Sequence, residues 1–98
     1  MTEASGRSVL ILGASGGIGR ATAEALSSDG FRVALHASSH PERAEALAEE
    51  LRSKGADAWT VVFDAADPAA SRSAIEADIE HHGAYWGIVH SAGITRDA

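Results

Sequence analysis

The 98-residue sequence contains no cysteine, which removes disulfides and thiolate metal sites from consideration. Lysine and tyrosine occur once each, as Lys54 and Tyr85. Basic side chains are scarce: eight Lys and Arg stand against fourteen Asp and Glu, for a formal net charge of −6. A chain this acidic is a poor match to a polyanion, so nucleic acid is not an expected partner. Long apolar runs are missing as well, and none approaches the roughly 18 residues of a membrane span. The opening MTEASGR has no leader pattern, and strand-like residues follow it at once. The default expectation is a cytoplasmic chain with no membrane partner. Five histidines are present, including the pair His81 and His82, but their spacing makes no metal pattern. The length allows one small domain with a limited core, and no linker, repeat or low-complexity segment interrupts it.

What is present is alternation. Val9-Leu10-Ile11-Leu12 reads as a strand over Ser8–Leu12. Residues 18–29 read as a helix with Ile18, Ala21, Ala25 and Leu26 on one face and Gly30 as its stop. Residues 32–36 read as a second strand. Pro41 suits the first turn of a second helix, in which Ala44, Leu47, Ala48 and Leu51 recur at helical spacing and which Gly55 ends. Residues 58–63 are rich in β-formers. Asp67 is placed to cap a third helix, with Pro68 at its first position. That helix is expected to bury Ser71, Ala74, Ile75 and Ile79 and to stop at Gly83, where His81 and His82 suit its negative pole. Residues 85–90 read as a fourth strand, begun by Tyr85 and Trp86. The order β-α-β-α-β-α-β with right-handed crossovers predicts an α/β fold. It is a Rossmann-type parallel sheet of order 3-2-1-4, the N-terminal half of a doubly wound fold. Its ligand crevice is expected at the carboxyl ends of strands one and four.

The run Gly13-Ala14-Ser15-Gly16-Gly17-Ile18-Gly19 joins the first strand to the first helix. A glycine turn that opens a helix presents free N–H groups and the positive helix pole to a phosphate. Gly13 suits a tight turn, Gly17 the close approach of backbone to a pyrophosphate, and Gly19 close packing of helix on strand. The alternative is a glycine turn kept for packing alone. After strand two stands His36-Ala37-Ser38-Ser39-His40, with no acid before Glu42. A carboxylate there would bind a ribose 2′-hydroxyl and select NAD. Small hydroxyl residues with Arg43 nearby suit a 2′-phosphate, so NADP(H) is the expected cofactor. Ser38 and Ser39 also fit as caps of helix two, and both roles can hold together.

Three segments carry a family resemblance: GASGGIGRATAE at residues 13–24, FDAADP at 63–68 and SAGITRD at 91–97. In this order and spacing the chain resembles the N-terminal part of the short-chain dehydrogenase/reductase family, and within it the 3-oxoacyl-[acyl-carrier-protein] reductases. The resemblance implies that Gly13, Ser15, Gly17, Ile18 and Gly19 cradle the pyrophosphate and adenosine ribose. It implies that Ser38 contacts the 2′-phosphate region, and that Asp64 and Ala65 hold the adenine edge. Asp64 also fits as a plain turn residue at a strand end. Ser91, Ala92 and Gly93 would line the nicotinamide-side ribose. Where the family has a threonine before the first glycine, this chain has Leu12; for the family's N-N-A-G it has His90-Ser91-Ala92-Gly93. Gly16 stands where many NADP-using members carry a basic residue.

The resemblance also implies a chemistry: hydride transfer to a β-keto thioester on acyl-carrier protein in fatty acid biosynthesis, by a homo-oligomer that is a tetramer at full length. That chemistry uses a serine and a Tyr-x-x-x-Lys pair. Neither is found, since Val89 stands four residues after Tyr85. The expectation is a truncated NAD(P)-binding Rossmann domain over residues 1–98, with no catalytic residue and no activity alone. A non-catalytic nucleotide-binding module, half of a split enzyme, or a remnant without function are the rival expectations.

Overall fold

In the computed structural model, residues 6–14 and 16–90 are described. The elements follow in the order β1 (Ser8–Leu12), α1 (Gly17–Ser28), β2 (Arg32–Ala37), α2 (Pro41–Ser53), β3 (Ala58–Val62), α3 (Pro68–His82) and β4 (Gly87–His90). The four strands form one parallel sheet of order β3-β2-β1-β4. This is the Rossmann-type order the alternating pattern predicts. All strands run the same way, so every strand-to-helix turn falls on one edge of the sheet.

The period-2 geometry of a strand divides the sheet residues between two faces. Val9, Ile11, Val33, Leu35 and Ala37 pack with Ala23 of α1 and with Ala44, Leu47, Ala48 and Leu51 of α2. The four buried residues of α2 are those the helical spacing predicts. On the other face Leu10, Ala34, Trp59, Val61 and Phe63 pack with Ala74 and Ile75 of α3. This second layer is thinner. Ile88, opposite Leu10 in the β1–β4 ladder, is 62% exposed.

Local signals end the helices as expected. Gly30 N–H donates to Ser27 O and Phe31 N–H to Leu26 O, the paired bonds of a Schellman stop. Gly55 and Ala56 repeat them to Arg52 and Leu51. Asp67 caps α3 by accepting from the Ala70 N–H, with Pro68 at the first helical position.

Three expectations need correction. The buried residues of α1 are Gly19 and Ala23, with Leu26 partly buried, while Ile18, Ala21 and Ala25 face outward. Small residues lie on both flanks of this helix, so spacing alone does not choose its rotation; the contact of Gly19 with the glycine turn does. On α3, Ser71, Ala74, Ile75 and Ile79 are only partly covered, and the one buried residue is Asp78. The buried surface there is built around a carboxylate, for reasons given below. β4 begins at Gly87 because Tyr85 is drawn to α3, where its hydroxyl donates to Asp78.

Candidate functional site

The chain leaves β1 at Leu12, whose partly buried side chain packs into the α3-side layer. It turns at Gly13, with φ +75°, a region that disfavours side chains. The Gly16 N–H returns to Gly13 O at 3.4 Å, and the Arg20 N–H opens the helical ladder on Gly16 O at 2.8 Å. Gly16 is the N-cap of α1 and supplies no side-chain cap bond, and the first turn carries no acid. Among the described residues, no side chain caps the first helical turn at Gly17, Ile18 and Gly19, which lies at the strand-end edge of the sheet. Residue 15 lies outside the described residues.

Gly19 and Gly17 stand in different surroundings. A Cβ on Gly19 would stand 2.5 Å from Gly13 O and 2.7 Å from the Ala14 Cα. Only glycine lets α1 sit this close to the turn. A Cβ on Gly17 would meet nothing within 4 Å. Packing against the described residues therefore does not require glycine at position 17. Ile18 is 57% exposed beside it.

β2 and β3 are tied to this turn at their carboxyl ends. The Ala14 N–H donates to His36 O at 3.1 Å, and the Phe63 N–H to Ala37 O at 3.1 Å. The Gly13 N–H donates to His36 Nδ1 at 3.1 Å, and His36 Nε2 lies 2.8 Å from Phe63 O. The ring lies against Phe63, with centroids 4.2 Å apart. In the sequence His36 stands out only as a residue of the second strand. Its signal is a polar ring among the buried apolar residues of VALHA, near the carboxyl end of β2.

Ser38 and Ser39 are exposed and follow directly on β2. Neither caps α2: its N-cap is His40, with no side-chain cap bond. Asp64 is exposed, and its Oδ1 accepts from the Ala66 N–H at 2.9 Å. Its carbonyl accepts from the Asp67 N–H and the Ser71 hydroxyl. The turn role considered for Asp64 is thus realised, and Ala65 stands exposed in the same turn. Ser91, Ala92 and Gly93 lie outside the described residues. His90, just before them, is in register with Leu12. The fold thus brings the Gly13–Gly19 corner, Ser38 and Asp64 to one edge.

Arg20, in the first turns of α1, reaches α2 and donates to Glu50 Oε1 at 2.6 Å. The hydrogen bond and charge of Arg20 hold the Glu50 carboxyl below the usual carboxylate range. At the opposite edge, Asp78 accepts from Trp59 Nε1 at 2.8 Å and from the Tyr85 hydroxyl, and lies 2.9 Å from His82 Nδ1. Burial, then the hydrogen bond and charge of Asp78, push the Tyr85 hydroxyl above its ordinary value. A tyrosine that delivers protons near neutral pH needs the reverse shift. Lys54 is on the far end of α2, 3.7 Å from Glu50. Among the described residues, no helix is long and apolar enough to cross a membrane.

The family profile described as short chain dehydrogenase matches residues 7–98. The chain is 43% identical over 89 residues to the 3-oxoacyl-[acyl-carrier-protein] reductase FabG of Aggregatibacter actinomycetemcomitans, covering 91% of this chain and 37% of that protein. It is 37% identical over 91 residues to the FabG of Staphylococcus aureus strain Mu50, covering 93% and 37%. Among solved structures, a blue fluorescent protein from a metagenomic library in complex with NADPH superposes with a TM-score of 0.85 at 34% identity, covering 99% of this chain and 40% of that one. The chain thus spans 37% of the length of these curated relatives. With the profile matched over nearly every residue, and with the strand order and glycine corner in place, the chain belongs to the short-chain dehydrogenase/reductase family.

Proposed function

We propose that this chain is the cofactor-binding segment of an NADPH-dependent 3-oxoacyl-thioester reductase, a truncated NAD(P)-binding Rossmann domain over residues 1–98. The longer protein would reduce a β-keto thioester on acyl-carrier protein to the 3-hydroxy form, in the cytoplasm and as a homo-oligomer. The observation that carries this reading is the start of α1, where no described side chain caps the helix, beside the open position at Gly17. An anion there meets backbone donors and the helix pole together. The two reductase relatives support the substrate class. NADPH over NADH is supported by the exposed Ser38 and Ser39 with no acid beside them, and by the NADPH-bound relative.

When bound, NADPH supplies the hydride that goes to the β-carbonyl carbon, leaving NADP⁺, while a proton completes the hydroxyl. The residues of this chain bind and orient. The N–H groups of Gly17, Ile18 and Gly19 hold the pyrophosphate, Gly13 sets the turn, and the Ser15 hydroxyl adds a donor. Ser38 meets the 2′-phosphate, and Asp64 and Ala65 border the adenine. Ser91, Ala92 and Gly93 line the nicotinamide-side ribose. None of the chain's side chains is assigned the proton donor or the carbonyl polariser.

The test is a calorimetric titration of the purified chain with NADPH and with NADH, followed by an absorbance assay with acetoacetyl thioesters. The expected result is tighter binding of NADPH and no oxidation of it by the chain alone. The longer protein should consume NADPH with β-ketoacyl thioesters. If it consumes none, the substrate assignment fails and a nucleotide-binding module without catalysis takes its place. If the chain binds neither nucleotide at millimolar concentration, the cofactor role of this segment fails.

A further inference from the structure

His36 is 5% exposed and forms part of the buried surface at the carboxyl end of β2. Its two ring nitrogens face partners of opposite kind. The partner of Nδ1 is the Gly13 N–H, which can only donate, so Nδ1 must carry a lone pair. The partner of Nε2 is the Phe63 carbonyl, which can only accept, so Nε2 must carry the hydrogen. One tautomer of the neutral ring satisfies both. The other tautomer leaves donor against donor and acceptor against acceptor, and the imidazolium leaves donor against donor at Gly13.

The same residue also takes the next N–H of the turn, since the Ala14 N–H donates to His36 O. Two consecutive donors of the glycine corner are thereby turned inward onto one residue. Those of Gly17, Ile18 and Gly19 are not drawn in this way. The ring also bridges the end of β1 to the end of β3, where Asp64 follows Phe63.

We propose that His36 is the positioning residue of the nucleotide site. As a neutral, Nε2-protonated ring oriented by Phe63 O, it accepts from the Gly13 N–H and so holds the Gly13 turn in the shape that presents the phosphate-binding N–H groups. This rests on the cofactor role proposed above. It assigns His36 no contact with the ligand; it acts through Gly13 and Phe63.

Two measurements decide it. The first needs no ligand: nitrogen NMR of the imidazole in the cofactor-free chain at neutral pH. The expected spectrum has an unprotonated Nδ1 and a protonated Nε2. A protonated Nδ1, in either the other tautomer or the imidazolium, overturns the proposal. The second compares NADPH dissociation constants of three variants. In His36→Asn the side-chain oxygen can still accept from Gly13, so affinity should stay within about threefold of the unsubstituted chain. His36→Leu removes both bonds and His36→Gln only the one to Gly13, and each should weaken binding about tenfold or more. A purely structural role predicts instead that affinity follows melting temperature, with Asn no better than Gln. That result, or a Leu variant that binds like the unsubstituted chain, overturns the proposal. If the unsubstituted chain binds no NADPH, the cofactor reading has failed and the role in the nucleotide site with it, while the NMR measurement still decides whether His36 holds the Gly13 turn as the Nε2-protonated ring.

Discussion

Gly17 and Gly19 are two residues apart, and their surroundings differ. At Gly19 an alanine methyl would fall 2.5 Å from a backbone oxygen that cannot swing away. Gly19→Ala should cost about 2–3 kcal/mol of stability as α1 is pushed off the turn, read as a lowered midpoint in urea unfolding. At Gly17 the methyl meets no atom of the described residues within 4 Å. Gly17→Ala should leave the unfolding midpoint unchanged or slightly raised, because alanine is the better helix residue. It should nonetheless weaken NADPH binding about tenfold or more by filling the space at the helix start. A Gly17→Ala chain with unaltered affinity removes the phosphate from this corner. Ser38 supplies a further residue-scale test. Ser38→Asp places a carboxylate at the end of β2, which repels a 2′-phosphate and accepts from a 2′-hydroxyl. The ratio of NADH to NADPH affinity should rise about tenfold or more.

At the scale of elements, α3 is held in an unusual way. Its one buried residue is Asp78, and three groups converge on that carboxylate: the Trp59 indole of β3, the His82 ring one turn on, and the Tyr85 hydroxyl before β4. His82 also stacks on Trp59 with centroids 3.9 Å apart. Asp78→Ala would strand these donors at once and should cost about 3–5 kcal/mol, measured by chemical denaturation. Tyr85→Phe removes one bond and should cost about 1 kcal/mol. Alkaline pH provides a separate check. Burial and Asp78 raise the folded-state value of the Tyr85 hydroxyl above that of an unfolded tyrosine, about 10. A raised folded value means the contribution is complete below about pH 10 and is lost as pH climbs beyond it. The unsubstituted chain should lose stability above that point more steeply than Tyr85→Phe does. Equal slopes would show that the hydroxyl is no more protected than in the unfolded chain. None of this was legible in the helical spacing, which favours apolar residues for the buried stripe and offers no reason to bury an aspartate. The aspartate is tolerable only because donors from β3 and the α3–β4 turn reach it.

For the whole molecule, the two faces of the sheet are unequally covered. α1 and α2 close one face with a continuous apolar layer, while among the described residues α3 is the helix on the other face and Ile88 is 62% exposed. An apolar strand residue in water favours association. The 98-residue chain should therefore self-associate with rising concentration in sedimentation velocity. Ile88→Lys should reduce this with less than about 0.5 kcal/mol of lost stability, as for other exposed positions. Association unchanged by the lysine would place the sticky surface elsewhere.

The sequence by itself determined the alternation of strands and helices, the strand order, the helix stops and the site of the glycine corner. These rest on local rules: the 2.0 and 3.6 residue periods, the steric freedom of glycine, and the handedness of crossovers. It also marked Ser38 and Asp64 as strand-end residues, because parallel strands send all such residues to one edge. The tertiary structure alone decided the rotation of α1, the polar centre beneath α3 and the partners of the His36 ring. Each depends on partners distant in sequence. The Gly13 and Phe63 contacts of His36 lie 23 and 27 residues away, and Trp59 lies 19 residues from Asp78. Which donor meets which acceptor across such separations is set by the register of packed strands. A residue type read in its local window does not carry that information.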